Sequence, residues 1–169
     1  MTISMYQASA PVFDRMLNNL SGMLGKAAKW AEARKIEPAV LLQARLAPDM
    51  WALTRQVQVA CDFAKGTCAR LAGAEPPKFE DNEASIADLQ ARIAKTRQFI
   101  ATLKAAQIDG SEERDIRFKA GPREFEFKGL SYLTGFALPN FYFHHAMCYA
   151  ILRHNGLDLA KQDYIGEQR

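Results

Sequence analysis

The sequence predicts an all-α protein: an antiparallel four-helix bundle with a small β-hairpin inserted between helices three and four. Four segments repeat apolar residues at the three- and four-residue spacing of an amphipathic helix. Short links join these segments, as in bundles whose neighbouring helices run antiparallel. Between the third and fourth segments the apolar period changes to two, which indicates strands. We expect the whole chain, residues 1–169, to form a single domain.

The first predicted helix runs from Ser4 or Ser9 to Arg34. Pro11 suits its first turn, where the missing N–H costs no hydrogen bond. Its apolar residues form one stripe, and they are Phe13, Met16, Leu17, Leu20, Met23, Leu24, Ala27 and Ala31.

The second predicted helix begins at Pro48-Asp49, with Asp49 as its N-cap, and ends at Gly73. The apolar seam of this helix is Met50, Leu53, Val57, Ala60, Cys61, Ala64, Cys68 and Leu71. The third predicted helix is capped by Asp81 or Asn82 and ends at Asp109-Gly110. Its stripe has the period of a bundle and consists of Ile86, Leu89, Ile93, Thr96, Ile100 and Leu103.

The predicted hairpin covers residues 115–128, with Gly121-Pro122 between its strands. Apolar residues alternate with charged ones there, which gives the hairpin one aromatic face. The apolar set is Ile116, Phe118, Phe125 and Phe127. Glu124 and Glu126 are expected on the solvated face, where charge opposes strand-to-strand aggregation.

The fourth predicted helix is Asn140 to Gly156, NFYFHHAMCYAILRHNG, and it holds all three histidines of the protein. Asn140 is the expected cap, and Gly156 is the expected left-handed residue at the C-terminus. Asn140 and His144 differ by about 40° around a helix, so both side chains can point to one place.

Composition argues against several classes of function. The net charge is +3, from 22 Lys and Arg against 19 Asp and Glu, without a basic block. We therefore expect no nucleic-acid partner and no membrane partner. The N-terminus lacks the basic start and apolar core of a signal peptide, which favours a cytoplasmic location. The cysteines, Cys61, Cys68 and Cys148, are interpreted as small buried hydrophobic residues in a reducing compartment.

Three stretches together resemble one family: RLAPDMWALTRQVQVACDFAKGTCARLAG (45–73), LQARIAKTRQFI (89–100) and LPNFYFHHAMCYAILRHNGLDLAKQDYIG (138–166). The match looks like a bacterial family described only as a domain of unknown function, within the DinB/YfiT-like superfamily. That superfamily implies a four-helix bundle with a metal site and metal-dependent enzymes, thiol transferases among them.

The resemblance implies a metal site of one histidine from the second helix and two, at i and i+4, from the fourth. His144 stands where the second of that pair falls, and Asn140 occupies the earlier position. Gln58 stands at the second-helix position, with Asp62 one turn further on. Because the second helix has no histidine, the three-histidine site is not reproduced.

The candidate pocket therefore consists of Gln58, Asp62, Asn140 and His144, between the second and fourth predicted helices. Two interpretations of His144 stay open. It could bind nickel or zinc with the Asp62 carboxylate. Alternatively it is a buried histidine whose ring is hydrogen-bonded by Gln58 or Asn140, and no cofactor is expected.

Three functional hypotheses follow. The first is a bundle protein with a degenerate metal site that binds a small molecule or acts as a stress-related accessory protein. The second is a metal-dependent, thiol-transferase-like enzyme with His144 as a metal ligand. The third is a dimeric interaction module, since two-fold dimers are the commonest oligomers and the hairpin is rich in aromatic residues. A homodimer is predicted.

Overall fold

The computed structural model describes residues 3–166, and the protein is mostly helical with one two-stranded antiparallel sheet. The helices, in chain order, are α1 (Ala10–Ala33), α2 (Pro38–Gln43), α3 (Leu53–Leu71), α4 (Ile86–Thr102), α5 (Ala105–Ile108), α6 (Gly129–Tyr132), α7 (Leu138–His154) and α8 (Lys161–Ile165). The strands are β1 (Asp115–Ala120) and β2 (Arg123–Lys128). Among residues 3–166, no helix combines the length and apolarity that crossing a bilayer requires.

The four long helices, α1, α3, α4 and α7, pack around one apolar core. Helix α3 contacts both α7 and α4, and α1 contacts α4 and α7. The predicted stripe of the first helix is confirmed, since all of its residues are buried. The cysteines are buried as well, as their interpretation required. The apolar spacing therefore identified the faces on which these helices pack.

The predicted start of the second helix is wrong. The corresponding helix, α3, begins at Leu53, and Ala52 occupies the N-cap position in an extended conformation. Asp49 lies in a turn before it, where the Met50 N–H donates to the Ala47 carbonyl. A segment of connecting chain therefore leads into α3 and carries Trp51 with it.

The predicted cap of the third helix is also wrong. Helix α4 begins with a reciprocal capping box, in which the Ser85 hydroxyl accepts from the Asp88 N–H at 3.1 Å. The Asp88 carboxylate in turn accepts from the Ser85 N–H at 2.9 Å. Such a box satisfies two backbone donors that the helix cannot pair internally. The helix ends at Thr102, and the short α5 follows before Gly110 turns the chain at φ +79°.

The hairpin prediction is confirmed over its full range. Phe118 pairs with Phe125 and Ile116 with Phe127, so the aromatic side chains share one face. This face packs on Tyr132 and Phe136, which follow the hairpin in the chain. Charged residues occupy the other face, including an ion pair between Arg117 and Glu126 at 2.6 Å.

The chain stays helical from the end of the hairpin to the end of α7. A π-helical turn, Leu133–Ala137, joins α6 to α7. The prediction that Asn140 caps the last helix is therefore wrong: its side chain lies in the first turn of α7 and donates to the Phe136 carbonyl at 2.7 Å. Gly156 does end the helix at φ +96°, as predicted.

The C-terminal segment is held along α1. The Asn19 amide donates to the Tyr164 carbonyl at 3.1 Å, and Lys26 pairs with Asp163 at 2.6 Å. His145, fully buried on α7, lies 2.8 Å through Nε2 from the Met16 carbonyl and edge-on to Tyr164. His145 on α7 therefore contacts both α1, through Met16, and α8, through Tyr164.

Candidate functional site

His144 projects from α7 toward α3, where its ring orientation is fixed by a glutamine. The ring Nδ1 lies 2.8 Å from Gln56 Oε1. The Gln56 amide nitrogen donates to the Trp51 carbonyl at 3.2 Å, so the amide oxygen is left to accept. His144 therefore carries its proton on Nδ1, and Nε2 presents a lone pair. Nε2 makes no hydrogen bond with any residue from 3 to 166 and is not fully buried.

Aromatic rings surround this imidazole. The Trp51 and Phe63 rings are nearly parallel to it, with centroids 5.7 Å and 5.9 Å away, and Phe143 meets it edge-on at 5.2 Å. His144 is only 6% exposed, whereas Trp51 and Phe143 are 51% and 52% exposed. We refer to His144, Gln56, Trp51, Phe63 and Phe143 as the His144 site. It is an open-rimmed aromatic site with one polar group at its base.

The electrostatics of the His144 site keep the imidazole neutral. Burial lowers the pKa of His144 from 6.5 to about 4, and the positive charge of Arg55 acts in the same direction. At neutral pH the ring is therefore a hydrogen-bond acceptor at Nε2 and carries no charge.

The other three residues of the predicted pocket form hydrogen bonds away from His144. Gln58 donates to Glu83 at 2.7 Å and accepts from Arg55 at 3.1 Å. Asn140 donates to the Phe136 carbonyl in the π-helical turn that precedes α7. The prediction that Gln58 or Asn140 hydrogen-bonds the His144 ring is therefore wrong, because Gln56 does so.

Asp62 belongs to a separate polar network between α3, α4 and the loop before α4. Its Oδ1 lies 2.7 Å from Lys65 Nζ and 2.9 Å from Arg92 Nη2. Arg92 also pairs with Asp81 and Glu83, at 3.0 Å and 2.8 Å. These contacts engage the carboxylate that one interpretation of His144 offered as a further metal ligand.

The helical period of α3 could have identified Gln56 as the partner. Gln56 follows Leu53 by three residues and precedes Ala60 by four, so it shares their buried face. Gln58 is about 200° away from Gln56 around the helix. The superfamily resemblance implied Gln58 at this position, whereas the apolar spacing of α3 places Gln56 on the buried face.

Outside the His144 site two kinds of group could be reactive, clusters of metal-ligating side chains and the cysteine thiols. Among residues 3–166, no three His, Cys, Asp or Glu side chains are grouped so that they could hold a metal ion. Burial raises the pKa of the Cys61 thiol to about 12, and raises those of Cys68 and Cys148 further. These thiols are protonated at neutral pH, and a protonated thiol is a poor nucleophile.

The chain was compared with protein families, with curated proteins and with solved structures. Residues 5–165 match a family described as a domain of unknown function, DUF1993. The chain belongs to the DUF1993 family. It is also similar to the crystal structure of a DinB family member protein from Shewanella denitrificans, with a TM-score of 0.87 and 36% sequence identity over 96% of this chain and 92% of that one. No curated protein matches the chain. The resemblance found in the sequence is confirmed.

For this DUF1993 protein, the buried neutral state of His144 makes a testable prediction about pH. The unfolded chain protonates His144 near pH 6.5, but the folded protein does so only near pH 4. Between these values the unfolded state binds more protons, so stability falls as pH falls. From pH 7 to pH 5 the loss attributable to His144 is about 2 kcal/mol, at about 1.36 kcal/mol per pKa unit.

The measurement is urea unfolding at both pH values, for the wild type and for His144→Gln, which cannot titrate. The variant should lose about 2 kcal/mol less than the wild type over this interval. In the native protein, the His144 ring resonances in NMR should not titrate above pH 5. Equal losses in the two proteins, or a native titration near pH 6.5, would contradict a buried neutral imidazole.

Proposed function

We propose that this DUF1993 protein binds a small molecule at the His144 site, in the place where the superfamily holds a metal. The single observation that supports this is that His144 Nδ1 is fixed by Gln56, whereas Nε2 has no hydrogen-bond partner among residues 3–166 and lies among aromatic rings. Such a site is built for recognition, because its polar atom is oriented before a ligand arrives.

The chemistry of the site defines the ligand class. Neutral Nε2 accepts a hydrogen bond, so the ligand has a hydroxyl or N–H donor. The flanking Trp51 and Phe63 rings favour a flat apolar body next to that donor. A small aromatic or heteroaromatic molecule with one donor fits both requirements. A stress-related accessory role would follow if such a compound accumulates under stress.

The alternative, a metal-dependent and thiol-transferase-like enzyme, rests on His144 as a metal ligand. Its support is that a metal-binding histidine also donates its other ring N–H to an acceptor, as His144 does to Gln56. Against this alternative stands the small number of metal ligands, because a catalytic zinc site takes three ligands from the protein. Asp62 is engaged by Lys65 and Arg92. The residues do not fit a divalent metal, and we derive no metal-dependent step.

The remaining proposals concern architecture and assembly. We propose that α1, α3, α4 and α7 form the antiparallel four-helix bundle of the superfamily, as a single cytoplasmic domain. The exposed side chains of Trp51, Leu130 and Phe143 favour the homodimer and hence the interaction-module alternative. Sedimentation at high concentration tests this, and a monomer would exclude it.

Binding at the His144 site can be tested with two probes of similar size, phenol and toluene. In a Trp30→Phe background Trp51 is the sole tryptophan, and its emission reports on the site. Phenol should change the Trp51 emission saturably, and toluene, which has no hydrogen-bond donor, should bind about tenfold more weakly. His144→Phe should remove this preference for phenol.

The matched control is His154→Phe, at an exposed position on the same helix, which should bind phenol as the background protein does. Equal binding of phenol and toluene, or unchanged phenol binding in His144→Phe, would overturn the proposal. Dialysis against zinc or nickel tests the enzyme alternative. Uptake of one ion per chain that His144→Ala abolishes would favour that alternative instead.

A further inference from the structure

A cavity lies between α3, the hairpin and the π-helical turn, and Phe63 belongs both to its lining and to the His144 site. Its volume is about 190 Å³. Phe63, Phe118 and Phe136 form apolar walls. Arg70 and Lys119 also line the cavity, and Lys119 is paired with Glu124 at 2.6 Å, which leaves Arg70 as the unpaired cation among the described lining residues. We call this cavity the hairpin pocket. Of the four residues of the predicted pocket, Asp62 alone lines it.

Arg70 is the unusual member of the hairpin pocket. Its Nη1 donates to the Tyr132 hydroxyl at 3.2 Å, and its guanidinium lies 4.3 Å from the centre of the Phe118 ring. Within the part of the chain that the structure describes, Arg70 forms no ion pair with a carboxylate. A guanidinium has five N–H donors. Held on one side by a phenol and a ring face, it retains donors for a ligand.

The walls of the hairpin pocket are positioned by the irregular part of the last helix. Phe136 lies within the π-helical turn and Tyr132 lies immediately before it. Phe136 packs against both Phe63 and Phe118, with ring centroids 5.8 Å apart in each case. Single π-helical turns inside helices occur frequently at functional sites. Here the turn and the hairpin insertion meet at the same cavity.

We infer that the hairpin pocket binds a small carboxylic acid, with its carboxylate on Arg70 and a single ring or short apolar chain packed against the pocket-lining surfaces of Phe63, Phe118 and Phe136. Arginine pairs with a carboxylate through two parallel hydrogen bonds, which fixes the orientation of the acid. The volume is below the 300–1,000 Å³ of pockets for drug-sized ligands, so the acid is small. The negative charge of Asp62 at the pocket is offset by its ion pairs with Lys65 and Arg92.

The test is calorimetric titration of the full chain with benzoate, and with benzamide as a neutral ligand of nearly the same shape. Benzoate should bind at one site per chain, about tenfold more tightly than benzamide, because a charge-assisted hydrogen bond is worth more than a neutral one. Arg70→Met should remove this preference. Arg123→Met, at an exposed position on the hairpin, is the matched control for net charge and should retain it.

A second variant tests the position of the guanidinium while its charge is kept. A Cβ on Gly66 would lie 2.6 Å from Arg70 Nη1, so Gly66→Ala should displace the guanidinium and weaken benzoate binding. Unchanged binding in both Arg70→Met and Gly66→Ala, or no benzoate binding by the wild type at millimolar concentration, would overturn the inference. His144→Phe should still bind benzoate, which separates this inference from the function proposed for the His144 site.

Discussion

Replacing Gly129 with alanine is expected to destabilise the protein by about 3 kcal/mol or more, because the new methyl group has no space. An ideal Cβ at Gly129 would lie 1.9 Å from the Ser111 carbonyl oxygen and 3.0 Å from its carbon. These are backbone atoms, so no side-chain rotation relieves the contact. The adjacent Leu130 N–H also donates to the Glu112 carbonyl at 2.9 Å, and that bond would be strained with it.

Urea unfolding of Gly129→Ala measures the loss, and Gly22→Ala is its matched control. Gly22 lies inside α1, and a Cβ there would meet no atom within 4 Å. Alanine at that position should therefore stabilise the protein by about 0.5–1 kcal/mol, since it restricts the unfolded chain and favours helix. A Gly129→Ala protein as stable as the wild type would show that the segment 111–129 can separate without cost.

The close approach of the Ser111 backbone to Gly129 is an example of a feature that the sequence could not predict. Periodicity identified the buried face of α1, the hairpin and the Gly156 terminus, because each depends on neighbouring residues. The clash at Gly129 depends on Ser111, which is distant in the chain. The same is true of the stacking of Trp51 on His144, since Trp51 lies in the irregular connection before α3, which has no periodic signal.

The errors in the predicted elements have local causes. Asp49, Asp81 and Asn82 are good N-cap residues by type, but Ser85 with Asp88 makes the reciprocal box that starts α4. Serine followed three residues later by an acidic residue was a visible signal. The π-helical turn gave no such signal, and the contacts of its Phe136 are with Phe125 and Phe127, which belong to a different element, the hairpin.

Loss of Arg92 is expected to cost about 3–5 kcal/mol, because it leaves the largely shielded Glu83 carboxylate without a charged partner and with only the Gln58 amide as a side-chain donor. The Arg92 side chain is 2% exposed, and that of Glu83 is 7% exposed. The side chains of Asp62 and Asp81, the other ion-pair partners of Arg92, are 36% and 43% exposed. Arg92→Met keeps most of the side-chain volume while removing the charge. The expected loss therefore arises mainly at Glu83.

Three variants isolate that cause in urea unfolding. Arg92→Met with Glu83→Gln should recover part of the loss, because a buried amide costs less than a buried carboxylate. Arg97→Met is the control on the same helix: its ion pair with Asp14 at 2.7 Å is partly exposed, and such pairs contribute about 0–1 kcal/mol. Losses of similar size in Arg92→Met and Arg97→Met would show that burial is not the cause.

The pH dependence of the unfolding free energy tests the Arg92–Glu83 pair independently. Burial acts to raise the pKa of Glu83, but the hydrogen bonds from Arg92 and Gln58 outweigh it and hold the pKa below 4.5. In the wild type the pair therefore stabilises the fold above pH 4.5, and this contribution is lost as pH falls through the lowered value. In Arg92→Met the burial of Glu83 is no longer opposed by the Arg92 charge, so the pKa of Glu83 should rise. Protonation at acidic pH should then remove the free-energy cost of burying the Glu83 charge. The stability difference between wild type and Arg92→Met should consequently shrink between pH 7 and pH 4, whereas a packing defect alone would leave it constant.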